Sequence, residues 1–175
     1  MKILITGKSV LADLLEKNIG NTHICRVEDI LRNEVVLSEY DVFINYAHVD
    51  FKQVWLLQEV FTEWRSCRNK TIINISSRAA QPNISRGYMY AAQKAALNHY
   101  ANNIQYNCIE KECKVSTLNL GLMDHMLPSL DWNQVFEIVR LIIYSKIEIP
   151  ELTMQNRSNY MAIQEAKDKL LRGLL

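Results

Sequence analysis

Residues 71–101, TIINISSRAAQPNISRGYMYAAQKAALNHYA, decide the fold. The opening TIINIS is an apolar run closed by polar residues, the pattern of a short buried strand. From about Tyr88 to Gln105 the chain turns alanine-rich, and its apolar period becomes that of a helix. A strand that feeds a helix through one loop is half of a βαβ unit. If the unit repeats, a parallel sheet covered by helices follows.

It repeats on both sides. Upstream, KILIT at 2–6 reads as a strand ending at Gly7, and Val10, Leu11, Leu14, Leu15 and Ile19 mark a helix stopped by Gly20 and Asn21. THICRV at 22–27 is a weaker strand, followed at Glu28 and Asp29 by one helical turn. DVFINY at 41–46 is the next strand. Val54, Leu57, Phe61 and Trp64 mark one face of a helix over 51–67. Downstream, VSTLNL at 115–120 reads as a strand and Gly121 permits a tight departure. Val135, Ile138, Val139 and Ile142 face inward from a helix at 132–145, and a short strand lies near 149–154. Met161, Ile163, Ala166, Leu170 and Leu171 suggest a last helix. The expectation is one α/β domain over 1–175, a doubly wound parallel sheet whose ligands bind at the carboxyl ends of its strands. Periodicity alone leaves a flavodoxin-like or receiver-like sheet open.

Composition excludes other classes. The chain has 175 residues, enough for a core that folds alone, and 49% are apolar. Lys and Arg number 20 against 19 Asp and Glu, so no overall polyanion signal exists and no nucleic-acid partner is expected. Cys25, Cys67, Cys108 and Cys113 lack zinc-site spacing, and the expected state is four reduced thiols in a cytoplasmic protein. MKILITG turns polar too soon for a signal peptide or a span, and LIIYSKIEIP is too short, so no membrane is expected. His48 and His125 are candidates for the lining of a cleft, but no carboxylate or thiolate set converges on them to hold a metal.

Tyr90 and Lys94 are the sharpest local pair. Four residues apart on a helix, they share one face. Free tyrosine titrates near roughly 10, and a neighbouring ammonium favours its anion, which suits proton exchange with an alcohol or carbonyl. Ser77, just past the TIINIS strand, has a hydroxyl placed to orient the oxygen of such a substrate. Ser76 reads as the serine that caps or bonds within the turn.

These pieces together resemble the short-chain dehydrogenase/reductase superfamily. MKILITG, DVFINYAH, TIINISS, YMYAAQKAALNHYA and VSTLNLGLMDH occur in the family's order, and Ser77 with Tyr90-x-x-x-Lys94 agrees with its catalytic arrangement. NYAH at 45–48 resembles the family's Asn-Asn-Ala-Gly segment. The resemblance implies a Rossmann-like fold, NAD or NADP as cofactor, and a small carbonyl or alcohol substrate. It implies that Tyr90 is the acid–base, that Lys94 lowers its pKa and holds the nicotinamide ribose, and that Ser77 polarises the reacting oxygen. Asn45 and Ala47 support the cofactor side, and Gly121 allows close approach near nicotinamide. A homo-oligomer through helices 51–67 and 88–105 is also implied.

The departures define the alternative. The family's first loop carries three glycines, which permit a tight turn and close pyrophosphate approach. Here Gly7 stands alone, with Leu11 and Asp13 where glycine is usual. Lys8 and Ser9 are the candidate substitute contacts, and Asp13 is a candidate helix cap whose charge opposes a diphosphate. The passage from the second to the third strand is contracted. The helix-borne catalytic asparagine has only Gln53 as its nearest counterpart. Arg26 points to a 2′-phosphate and NADP, Glu28 or Asp29 to ribose hydroxyls and NAD. The rival to an oxidoreductase is an inactive member kept as a binding, regulatory or oligomeric scaffold.

Overall fold

Alternate residues of β1 (Ile3–Thr6) divide between the two apolar cores of the molecule. Ile3 and Ile5 join one cluster and Leu4 the other, and all three are fully buried. That is the pattern of a strand covered on both faces. In this computed structural model, residues 1–81, 87–123 and 129–156 are described, with isolated positions at 165, 168, 169 and 172. The expected last helix and His125 therefore lie outside the described residues.

The element order is β1, α1 (Val10–Asn18), β2 (Thr22–Cys25), α2 (Val27–Leu31), β3 (Val42–Asn45), α3 (Lys52–Trp64), β4 (Thr71–Ser77), α4 (Tyr88–Asn107), β5 (Lys114–Leu120), α5 (Trp132–Tyr144) and β6 (Glu151–Met154). All six strands are parallel, in the order β2-β1-β3-β4-β5-β6. Helices α1 and α5 cover one face through Leu11, Leu15, Val135, Phe136, Val139 and Ile142. The other face carries α3 and α4, with α2 at its edge. Every strand thus ends on the same edge of the sheet, and the chain reverses its winding between β1 and β3. That reversal is where a doubly wound sheet opens a crevice for ligand. No helix among the described residues is long and apolar enough to cross a membrane.

The contraction lies where it is expected. In the doubly wound order 3-2-1-4-5-6 a third strand stands outside β2. Here the chain returns from β2 to β3 through α2 and one 3-10 turn at Leu37–Glu39, and among the described residues β2 is the sheet's edge. The single helical turn expected after β2 is a five-residue helix, because Asp29 caps it by accepting from the Arg26 backbone N–H at 2.8 Å. Gly20 and Asn21 end α1 as expected, at φ of 75° and 54°.

Two expectations about small residues need correction. Ser9, not Asp13, caps α1: its Oγ accepts from the Ala12 N–H at 3.1 Å, while Asp13 sits exposed in the first turn. Ser77 rather than Ser76 caps its turn, accepting from the Ala79 N–H at 3.1 Å. Ser76 is buried instead and donates to Asn98 Oδ1 at 2.5 Å. The alternation of β4 decides this, since Ser76 is turned toward α4. All four cysteines are free, with Cys25 and Cys113 buried and Cys67 and Cys108 partly so. Burial pushes the Cys25 and Cys113 thiols up to about 12.

Candidate active site

Two regions meet on the carboxyl edge of the sheet. One is an open cleft of about 470 Å³ at the ends of β1, β2 and β3, and Gly7, Lys8, Arg26 and Ala47 line it. Sequence reasoning places these four residues on a cofactor, and the fold brings them together. The turn that makes the cleft depends on Gly7. Its φ is +79°, and an added Cβ would come within 3.1 Å of Ala47 Cβ. Thr6 fixes the opposite side of that turn, its Oγ1 accepting from both the Tyr46 and Ala47 N–H groups at 3.0 Å. Sequence reasoning missed Thr6; its one signal is a polar residue closing an apolar strand.

The cleft's charges are not equivalent. Glu28 pairs with Lys52 of α3 at 2.6 Å, and that hydrogen bond holds its carboxyl below the usual range. Asp29 caps α2 through one carboxylate oxygen. Lys8 and Arg26 form no ion pair among the described residues. The cleft therefore presents two available cations beside two engaged carboxylates.

The second region is buried. Lys94, 3% exposed, donates to Gln53 Oε1 at 2.7 Å and to the Ile75 carbonyl at 2.8 Å. Its ammonium lies 5.7 Å from the centre of the Tyr90 ring. Desolvation disfavours the charged form and lowers the Lys94 pKa to about 8. Tyr90 itself is 39% exposed, and the ring of His48 stands edge-on to it at 4.8 Å between centroids. Burial, then the Lys94 charge, moves His48 below its ordinary value, against a hydrogen bond with Gln93 that acts the other way. Ser77 ends β4, and its following turn packs on α4, the helix that carries Tyr90 and Lys94.

His48 follows Ala47 directly, so one short loop touches both regions. Behind that loop, Asn45 and Gln53 exchange hydrogen bonds. Asn45 Nδ2 donates to the Gln53 carbonyl and Gln53 Nε2 to the Asn45 carbonyl, each at 2.8 Å. Asn45 is fully buried and also donates to Asn74 Oδ1 at 3.1 Å. It braces β3 against α3 and β4 and does not line the cleft. Gly121 also lies outside the cleft. A Cβ there would meet the Met154 carbonyl at 3.0 Å, so its lack of a side chain admits β6. Ser9 holds the start of α1 beside the cleft and is not among the residues that line it.

The short chain dehydrogenase profile matches residues 13–130, two thirds of the chain. The chain belongs to the short-chain dehydrogenase family. No curated protein matches its sequence. Among solved structures it is similar to serine dehydrogenase from Escherichia coli, at 18% identity and a TM-score of 0.71, covering 91% of this chain and 100% of that one. It is similar to an alcohol dehydrogenase from the archaeon Thermococcus sibiricus complexed with 5-hydroxy-NADP, at 17% identity and a TM-score of 0.68, covering 91% and 100%. A 4-hydroxyisoleucine dehydrogenase complexed with NADH matches at 17% identity and a TM-score of 0.64, covering 88% and 96%. At such identities the likeness shows the Rossmann-like fold, and this short-chain dehydrogenase is a shortened version of it.

Proposed function

We propose that this short-chain dehydrogenase is an NAD(P)-dependent oxidoreductase acting on a small carbonyl or alcohol. The observation that carries the reading is the buried Lys94 ammonium, held 5.7 Å from the Tyr90 ring and one loop away from a cleft at the sheet's switch point. The cleft fits the adenosine end of a dinucleotide: Ile24, Val27, Ala47 and Val49 give apolar wall, and Gly7 gives close backbone approach. When bound, the cofactor supplies or accepts the hydride. Tyr90 gives its phenolic proton to the carbonyl oxygen, or takes one from an alcohol. Lys94 stabilises the tyrosinate and offers an N–H to a ribose hydroxyl. Ser77 Oγ orients the reacting oxygen.

The cleft's charges favour NADP over NAD. A ribose 2′-hydroxyl is read by a free carboxylate, whereas a 2′-phosphate is read by cations. Glu28 is neutralised by Lys52 and Asp29 caps α2, while Lys8 and Arg26 remain available. Calorimetric titrations with NADPH and NADH test this. Tighter binding of NADPH by tenfold or more, lost in Arg26→Ala, is the expected result, and equal or reversed affinities would overturn the preference. Asp13 beside the reduced phosphate loop favours the second reading, a binding module without turnover. Binding without Tyr90-dependent turnover would favour that reading, and absence of binding by both cofactors would overturn the oxidoreductase reading.

A further inference from the structure

The helix-borne asparagine of the family has no counterpart by residue type, yet the buried region is not missing a member. We propose that Gln53 is the positioning residue of this site, holding Lys94 in register with Tyr90 by direct side-chain contact. The inference rests on the oxidoreductase reading for its purpose, though not for its geometry.

The orientation of the Gln53 amide is forced. Its Nε2 lies 2.8 Å from the Asn45 carbonyl and 3.2 Å from the Ile75 carbonyl, and both are acceptors only. The NH2 group must face them, so Oε1 must face Lys94, where it stands 2.7 Å from Nζ. Gln53 is 2% exposed, so these bonds have no water to replace them. The amide thus ties the ends of β3 and β4 to the ammonium of α4. It also explains why a polar residue occupies an apolar face: Gln53 falls in line with Leu56, Leu57, Val60, Phe61 and Trp64, the buried stripe of α3.

A neutral acceptor does two things that neither an apolar residue nor a carboxylate would do. It offsets part of the desolvation of the ammonium without locking the charge into an ion pair. It takes one N–H of Lys94 while Ile75 takes a second, leaving the third for a ligand hydroxyl. Among the described residues, the other titratable groups facing Lys94 are Tyr90 and His48.

The test is a nuclear magnetic resonance titration of Lys94 in the wild type, Gln53→Met and Gln53→Glu, with NADPH affinity measured at pH 6 and pH 8. Gln53→Met is expected to lower the Lys94 midpoint by at least about one pH unit, and Gln53→Glu to raise it by a similar amount. In Gln53→Met, NADPH affinity falls at pH 8 and recovers at pH 6, because protonation restores the donor. Unmoved midpoints in both variants, or an affinity loss equal at both pH values, would overturn the proposal. If neither variant folds, the wild type decides. Slowly exchanging Lys94 ammonium protons close to the Gln53 amide support the assignment, and fast exchange without that proximity sinks it. A wild type that binds no dinucleotide would end the oxidoreductase reading while leaving the Lys94 midpoints readable.

Discussion

The open cleft and the buried Lys94 region use opposite means to hold their shape. In the cleft the backbone does the work: a glycine at positive φ, a threonine hydroxyl bridging two N–H groups, and side-chain charges left on the surface. In the buried region the side chains hold one another, through Lys94, Gln53 and Asn45, and each of them is nearly or fully sealed from water. The difference teaches that the two halves of the site respond to different perturbations. Proton concentration acts on the buried half, and backbone substitution on the open one.

The largest expected effect breaks the buried half through pH. Lys94 has a folded pKa of about 8 against an ordinary value near 10.5. Between those values the unfolded chain binds more protons than the folded one, so stability from this group rises with pH across the window. Below pH 8 the penalty of burying the charge is present in full. Cys25 and Cys113 work in the opposite sense, because their folded values of about 12 exceed the ordinary 9.0, and stability falls as pH climbs above 9. Subtracting a Lys94→Met variant from the wild type isolates the lysine. The difference in unfolding free energy should shift by about 1 kcal/mol from pH 8 to pH 9 and a few kcal/mol by pH 10.5. Denaturant melts at each pH read it, and a pH-independent difference would contradict the burial account.

Thr6→Val comes second and strikes the open half. It keeps the strand's shape but leaves the Tyr46 and Ala47 N–H groups without their shared acceptor. The expected loss is about 2 kcal/mol, read as a lower denaturation midpoint at unchanged slope. A loss near zero would mean that water replaces the hydroxyl. Gly7→Ala is third, at about 1 kcal/mol, because the new Cβ meets both an unfavourable φ and Ala47. The same substitution sharpens the comparison. It should leave the Lys94 midpoint untouched, since Gly7 and Lys94 have no common hydrogen-bond partner among the described residues.

The order of elements was legible in the sequence because β1 and β3 are apolar runs closed by one polar residue and α3 and α5 each carry one apolar stripe, while β2 and β6 mix polar and apolar residues and read more weakly. Gly7, Lys8, Arg26 and Ala47 were legible as a group, since all follow strand ends that a parallel sheet brings to one edge. The hidden part is polar. Nothing in spacing distinguishes Ser76 from Ser77 until strand alternation is known, and nothing in it shows that Gly121 also makes room for β6. Gln53 left a trace, an amide where the stripe of α3 wants an apolar residue, but its partner on α4 lies forty-one positions away.

That no strand stands outside β2 among the described residues changes what the cleft wall is made of. With β2 at the sheet's edge, Val27, Glu28 and Asp29 of the short helix α2 close that side, and the Lys52–Glu28 ion pair fastens α2 to α3. A strand would be stitched in place by a ladder of backbone bonds that salt does not touch. A half-exposed ion pair is a clasp that loosens as ions screen it. The shortened chain has thus exchanged a rigid jamb for one whose grip follows the ionic strength around it.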